Sequence, residues 1–473
     1  VRDLLVAGFI LAALPTCFRR PFIGLLVFTL LAYMRLQDLT WGWARFERWS
    51  FYVAIVTIAG FVFGSGQRRF MLPDLRCWIM LALVVLVGMS LVTSRFFVAG
   101  DLSSFIEYCK IIGVALFTTG VVKNREYLRI LVYVVALSFG FFGVKNGIAF
   151  ILSGFSMEII QGPGGMLSDR NDFSLALCMG MPLLLHLGLS EKRQILRRGL
   201  LISIPLMVLT IVSCHSRGAF LAMGAMAMAI AWRSKNRFAG FALVALCGAA
   251  AWMAAPSSYK DRISSISEYE TEGSARGRIE AWKVAGNMIV SKPLLGVGFN
   301  KFQQEYPSYD PKRGVEADGN PKAEGTRVAH NSYLQIWAEC GTPAFMLYLL
   351  LIVLTFRDLA IVRREAARRY HSSWILSYAN MFEAGMVAFV VGATFLNRAQ
   401  FDLFYHYVAI VVVFGKVARD AMAEEPERAS STAERGSLVL ARPTGFGGPR
   451  IQDGFTRTAP TSGFGRRPAP GGL

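Results

Sequence analysis

A chain of 473 residues with 54% hydrophobic content, 17% charged residues and a mean hydropathy of +0.43 is too apolar to be a soluble protein of that length. Its net charge of +18 does not mark a nucleic-acid binder, because the basic residues punctuate apolar runs and do not gather on one face. The seven cysteines are scattered, mostly inside those runs, with no Cys-x-x-Cys pair, so they point to neither a zinc site nor a disulfide framework.

Taken in order, the apolar runs predict helices at 3–17, 21–35, 49–65, 75–93, 104–121, 127–153, 172–189, 198–213, 216–232, 237–254, 341–357, 372–396 and 401–417. The fold class is therefore all-α: a polytopic integral membrane bundle of 12–13 transmembrane helices with one large extramembrane loop. The first run, Leu4 to Leu14, follows Arg2 and has no small-residue cleavage site, so it is not read as a removed signal peptide. The first two helices are short enough to form a re-entrant pair, which leaves the count between twelve and thirteen.

Charge assigns the sides. Loops on alternate sides hold twenty Lys and Arg in one set (Arg19, Arg76, Arg125, Arg193, Arg233 and Arg363 among them) and seven in the other (Arg35, Arg45, Arg48, Arg95, Arg170, Arg217 and Arg398). Positively charged loops stay in the cytoplasm, so the first set is expected there and the loop 255–340 on the far, periplasmic side of a bacterial inner membrane. That loop carries eleven basic and eleven acidic residues and has no charge reason to stay inside. Three regions follow: 1–190, N-terminal and membrane-embedded; 191–415, a second membrane core that includes the loop; and 416–473, a cytoplasmic tail rich in Gly, Pro, Ser, Thr and Arg that is expected to be disordered.

The chemistry-bearing residues cluster around the far side. Arg217, in Cys214-His-Ser-Arg-Gly-Ala-Phe, stands where one run ends and the next begins; it reads equally as an interfacial anchor. Arg276 and Arg278 open a helix whose Arg278, Trp282, Ala285 and Ile289 share a face, an amphipathic segment pressed on the bundle or on lipid. Two guanidinium forks at a helix N-terminus make an anion site. Pro293-Leu-Leu-Gly-Val-Gly-Phe-Asn300 then turns, and His330-Asn-Ser-Tyr-Leu-Gln opens a short helix capped by Asn331 or Ser332 and stopped by Gly341 and Pro343. His330 sits at the positive end of that helix, which favours neutral imidazole, the form that acts as a base; capping is the plainer alternative. Charged residues at membrane depth are Glu107 with Lys110, which pair one turn apart, and Lys145 with Asn146, Glu383, and Arg398 with Asp402, which are candidates for lining a polar cavity. Glu316 and Asp318 have the spacing of two metal ligands but stand beside Gly319 and Asn320, as in a solvated turn.

Ser216-Arg-Gly-Ala, Ser274-Ala-Arg-Gly-Arg-Ile-Glu-Ala-Trp, Pro293-Leu-Leu-Gly-Val-Gly and His330-Asn-Ser-Tyr-Leu-Gln together resemble the O-antigen ligase and polymerase family, also called the Wzy C-terminal domain family. Arg2-Asp-Leu-Leu, Arg19-Arg-Pro-Phe-Ile-Gly-Leu-Leu and Leu39-Thr-Trp-Gly resemble the O-glycosylation ligases associated with exosortase A systems, although Arg35-Leu-Gln-Asp stands where that subgroup carries an Asn-Pro pair. The resemblance implies an inverting glycosyltransferase that needs no metal or other cofactor. It would move a glycan from an undecaprenyl-diphosphate carrier to an acceptor hydroxyl of unknown identity on the periplasmic side. His330 would be the base, and Arg217 with Arg276 or Arg278 would bind the diphosphate. A repeat-unit polymerase of the same family is the alternative reading, and a lipid-linked glycan transporter a more distant one.

Overall fold

The computed structural model describes residues 1–64, 69–234, 236–238, 240–242, 273–310, 326–369 and 373–424. Most of the candidate span at 237–254, Glu316, Asp318 and nearly all of the expected tail lie outside the described residues. Sequence this apolar leaves no water near the backbone, and a helix satisfies each N–H and C=O within its own segment. The described residues accordingly form α1 (Arg2–Arg19), α2 (Pro21–Tyr33), α3 (Trp49–Phe63), α4 (Leu75–Val92), α5 (Ala99–Val121), α6 (Arg125–Leu152), α7 (Arg170–Ser190), α8 (Gln194–Ser213) and α9 (Arg217–Arg233). After residues outside the description come α10 (Gly273–Ser291), α11 (Phe302–Tyr309), α12 (Ser332–Arg369), α13 (Ser373–Gly392) and α14 (Asp402–Glu424). Among the described residues, seven helices are long and apolar enough to cross a membrane, namely α4 to α8, α12 and α13, and α2 and α3 are shorter apolar helices. The protein is a multi-pass helical membrane protein.

The two sets of charges separate to opposite ends of the bundle. One end, the histidine end, gathers Arg35, Glu158, Asp169, Arg170, Ser332 and Arg398. The other gathers Asp74, Arg76, Asp358 and Arg419, and, between α9, α12 and α13, Arg233, Arg363 and Glu383. α1 runs from the first to the second: Asp3 accepts a hydrogen bond from the Ala44 N–H at 3.0 Å, and the Phe18 carbonyl lies against Gly60 of α3. α2 returns after a one-residue break at Arg20. The pair lies alongside α3, with the 18 residues of α1 extending about 27 Å and the 13 of α2 about 20 Å.

α7 and α14 hold the centre. Nearly every residue from Leu403 to Phe414 is buried, as is most of α7, the pattern of helices that are apolar all round. Both begin at the histidine end with an acid in the first turn, Asp172 and Asp402, where the helix dipole favours negative charge. α14 runs on to Glu424, past Lys416, where the tail was expected to start; Lys416 and Asp420 pair across one turn of it. α5 starts at Ala99, earlier than the expected 104, because the Asp101 carboxylate accepts the Val98 N–H at 2.8 Å and caps it.

Between α6 and α7 the chain makes a small antiparallel hairpin that hydropathy did not predict, β1 (Gln161–Gly164) and β2 (Leu167–Asp169), with Gln161 opposite Asp169. α10 is pressed on the bundle, against the first turns of α12. Its Ala281, Val284, Ala285 and Met288 pack with Val297, Phe302, Tyr306 and Ala338, a separate apolar cluster that makes the loop a folded body.

Candidate active site

α12 breaks at Gly341, whose φ of 83° lies in the left-handed region, into a short helix from Ser332 and a long one. A Cβ at Gly341 would meet the Leu294 carbonyl, and one at Gly296 the Glu339 carbonyl, so the break and the Pro293-Leu-Leu-Gly-Val-Gly turn fit only with glycine at both places. Val297 N–H donates to the Ala338 carbonyl at 2.9 Å, Gly298 N–H to Glu339 at 3.1 Å, and Thr342 N–H to Pro293 at 2.8 Å. The motif thus holds the end of the short helix. A buried pair, Lys301 with Asp101, and the Glu339 carboxylate accepting the Phe302 N–H at 3.2 Å anchor the same turn to α5.

At the start of the short helix the two candidate caps divide their work. Asn331 Oδ1 accepts the N–H groups of Tyr333 and Leu334, each at 3.0 Å, and is the cap. Ser332 Oγ instead donates to the Leu396 carbonyl at 2.9 Å and accepts the Arg398 N–H at 3.1 Å, tying the helix to the α13–α14 turn. His330 precedes the cap with φ 46°, a backbone that costs a non-glycine residue on the order of 1–3 kcal/mol. It is held there from behind: the Trp282 indole of α10 donates to the Ala329 carbonyl at 2.9 Å. The imidazole is exposed at its edge. The protein packed around it, and then the Arg278 guanidinium, push its pKa below the usual histidine value, and the Asp169 carboxylate pulls the other way. The net direction favours the neutral ring.

Arg278 therefore stands within electrostatic range of His330, half-buried on α10. The side chain of Arg276 lies outside the described residues. Arg217 opens α9 behind Ser216, whose hydroxyl accepts the Ala219 N–H at 3.3 Å. It belongs to the same corner: Gly218 backs onto Phe395, in the turn that Ser332 binds, and His215 Nδ1 lies 3.2 Å from Glu158. Glu158 also accepts from Arg170 at 2.7 Å, and its hydrogen bond with His215 first, then Arg170, hold its carboxyl below the ordinary range.

Sequence reasoning missed Asp169. It caps α7 through the N–H groups of Asn171 and Asp172, and the hairpin brings it within electrostatic range of His330. The signal was the polar run Asp169-Arg-Asn-Asp172 directly before an apolar helix. Arg35, with its Asp38 partner, lies over the Gly164–Gly165 turn of that hairpin. Of the other charged residues, Glu107 and Lys110 pair as expected, at 2.6 Å. Of the candidates for lining a polar cavity, Asp402 does line one, between α2, α3 and α5, whereas Arg398 has its backbone tied to Ser332 and its guanidinium donating to Asp172 at 2.6 Å. Glu383 lies at the opposite end, clamped by Arg233 and Arg363, and Lys145 lines an open groove between α6, α7 and α8.

A histidine favoured neutral by the protein around it and by an arginine within electrostatic range can take a proton where an anion is attracted. Residues 202–349 match the family described as O-Antigen ligase. The chain carries an O-antigen ligase domain. Residues 1–191 match a family of unknown function, DUF5935, and no curated protein matches the chain. The O-antigen ligase domain contains Arg217, Arg278 and His330. The site extends past it on both sides: Asp169 and Arg35 come from the N-terminal match, and Arg398 lies C-terminal to the O-antigen ligase match.

Proposed function

We propose that the protein is a glycan ligase that moves a glycan from a lipid-diphosphate carrier, such as undecaprenyl diphosphate, to an acceptor hydroxyl at the periplasmic face of the inner membrane. The observation that carries this reading is His330, favoured neutral beside Arg278 at the end of the bundle. The acceptor oxygen attacks the anomeric carbon from the side opposite the diphosphate, so the new glycosidic bond forms as the carbon–oxygen bond to the carrier breaks, with inversion. The hydroxyl proton passes to His330, and the electron pair leaves with the diphosphate. Arg278, Arg217 and Arg276 bind that anion and stabilise the charge that grows on it, a role guanidinium forks suit better than ammonium groups.

General-base assistance is commonly worth about 10²- to 10⁴-fold. His330→Gln and His330→Ala, reconstituted in liposomes with a lipid-diphosphate glycan, should lose transfer by that order and still bind the donor. Near-wild-type transfer by His330→Gln at equal protein level would remove the histidine from the mechanism.

A further inference from the structure

The N-terminal segment builds a second site. A cavity of about 900 Å³ lies between α2, α3 and α5, with the first turns of α14 at its back. Residues of α5 reach it at helical spacing, Ser103, Ile106, Lys110, Val114 and Phe117 forming one stripe. Its lining changes along its length. Toward the middle and the far end of the bundle it is apolar, with Phe28, Ile55, Ile58, Phe70 and Phe117. At the histidine end it is polar, with Tyr33, Gln37, Glu47, Arg48, Asp402 and His406.

Two polar groups in that lining are left over. Gln37 is 8% exposed and His406 4% exposed, and Gln37 Oε1 and His406 Nε2 find no hydrogen-bond partner among the described residues. The other nitrogen of His406 is taken by the Tyr33 hydroxyl at 2.7 Å. A buried polar atom without a partner is destabilising, so both side chains gain by turning toward a polar group held at this end of the cavity. The Glu107–Lys110 pair also faces this cavity with more than half of each side chain accessible, although both lie inside a membrane-length helix.

The balance of groups selects the ligand. Three carboxylates, Glu47, Glu107 and Asp402, face two cations, Arg48 and Lys110, one of which is already paired with Glu107. Such a lining repels a phosphate, and with Gln37 Oε1 it offers an excess of hydrogen-bond acceptors. We propose that this cavity binds a membrane amphiphile by its apolar chain, and that its polar end receives an uncharged, hydroxyl-bearing head such as a sugar or glycerol. The site is separate from the anion-binding arginines, and it gives the N-terminal segment a role that does not depend on the transfer chemistry.

Binding can be read without turnover. The full chain is placed in phosphatidylcholine nanodiscs with two photoreactive probes of identical diazirine-bearing alkyl chain, one with a glucosyl head and one with a phosphate head. The glucosyl probe should cross-link saturably to α2, α3 and α5, compete with unlabelled alkyl glucoside, and exceed the phosphate probe at least tenfold. A side chain at Gly113 would project into open space in the cavity wall, and one at Gly224 on α9 also meets nothing. Gly113→Phe should therefore cut labelling at least tenfold, and Gly224→Phe should leave it unchanged. If Gly113→Phe does not yield folded protein, Gln37→Leu carries the test and should weaken the glucosyl probe at least threefold. Equal labelling by the phosphate probe, unsaturable labelling spread over the outer helices, or full labelling of the folded variants would overturn the proposal.

Discussion

Both ends of the bundle pair arginines with acids, but only one of them adds a histidine. At the end away from His330, cations are matched by acids: Arg76, 4% exposed in its side chain, meets Asp74 at 2.8 Å and Asp358 at 2.7 Å, and Asp358 also meets Arg419. Glu383 is likewise held between Arg233 and Arg363. At the histidine end acids also meet arginines, Asp172 with Arg398 and Glu158 with Arg170, but a histidine stands among them, its pKa lowered first by the protein packed around it and then by the arginine of α10. Ion pairs that close on themselves hold helices together; a histidine favoured neutral keeps the capacity to take a proton. Counting charges in loops finds the end away from His330 the more basic, twenty Lys and Arg against seven, and only the pairing tells a clamp from a site.

The sharpest way to break this comparison is to test whether the ends face different compartments. In a cysteine-free background, Ser156→Cys between α6 and the hairpin should react with a membrane-impermeant thiol reagent in intact, outer-membrane-permeabilised cells, and Lys192→Cys between α7 and α8 should not. Labelling of Lys192→Cys alone would invert the assigned sides. Next in size is the clamp. Arg76→Met leaves Asp74 and Asp358 partly buried without their shared cation and should cost about 3–5 kcal/mol in stability, while transfer per folded molecule is retained. His330→Gln should do the reverse, and loss of transfer by folded Arg76→Met would mean that the two ends are not separable.

Smaller effects sharpen the histidine end itself. Asn331→Ala removes a cap that serves two N–H groups and should cost roughly 0.5–2 kcal/mol, read by thermal unfolding. The pH profile is the finest probe. A base must be neutral, so transfer should fall on acidification through a pKa below the usual histidine value of about 6.5. Arg278→Gln removes a charge that lowers this pKa and should move the acid limb to higher pH; Asp169→Asn removes one that raises it and should move the limb lower. Limbs that do not move, or that move the other way, would place the titration on another group.

By itself the sequence determined the class of protein, the segregation of its charges and the helices between them, because hydropathy and charge act on stretches of chain wherever they pack. It also marked His330, Arg217 and Arg278, whose motifs lie at loop and helix starts. The hairpin at 161–169 escaped it, since four- and three-residue strands of Gln, Gly, Pro and Ser carry no periodic signal. What only the tertiary structure decided is who meets whom: Asp169 in electrostatic range of His330, Arg398 on Asp172, Glu383 in a clamp, and Gln37 and His406 in the lining of one cavity. These partners are far apart along the chain. Their meeting depends on how whole helices stack, with α7 and α14 apolar on every face, and a pattern within one helix does not say which neighbour each face will take.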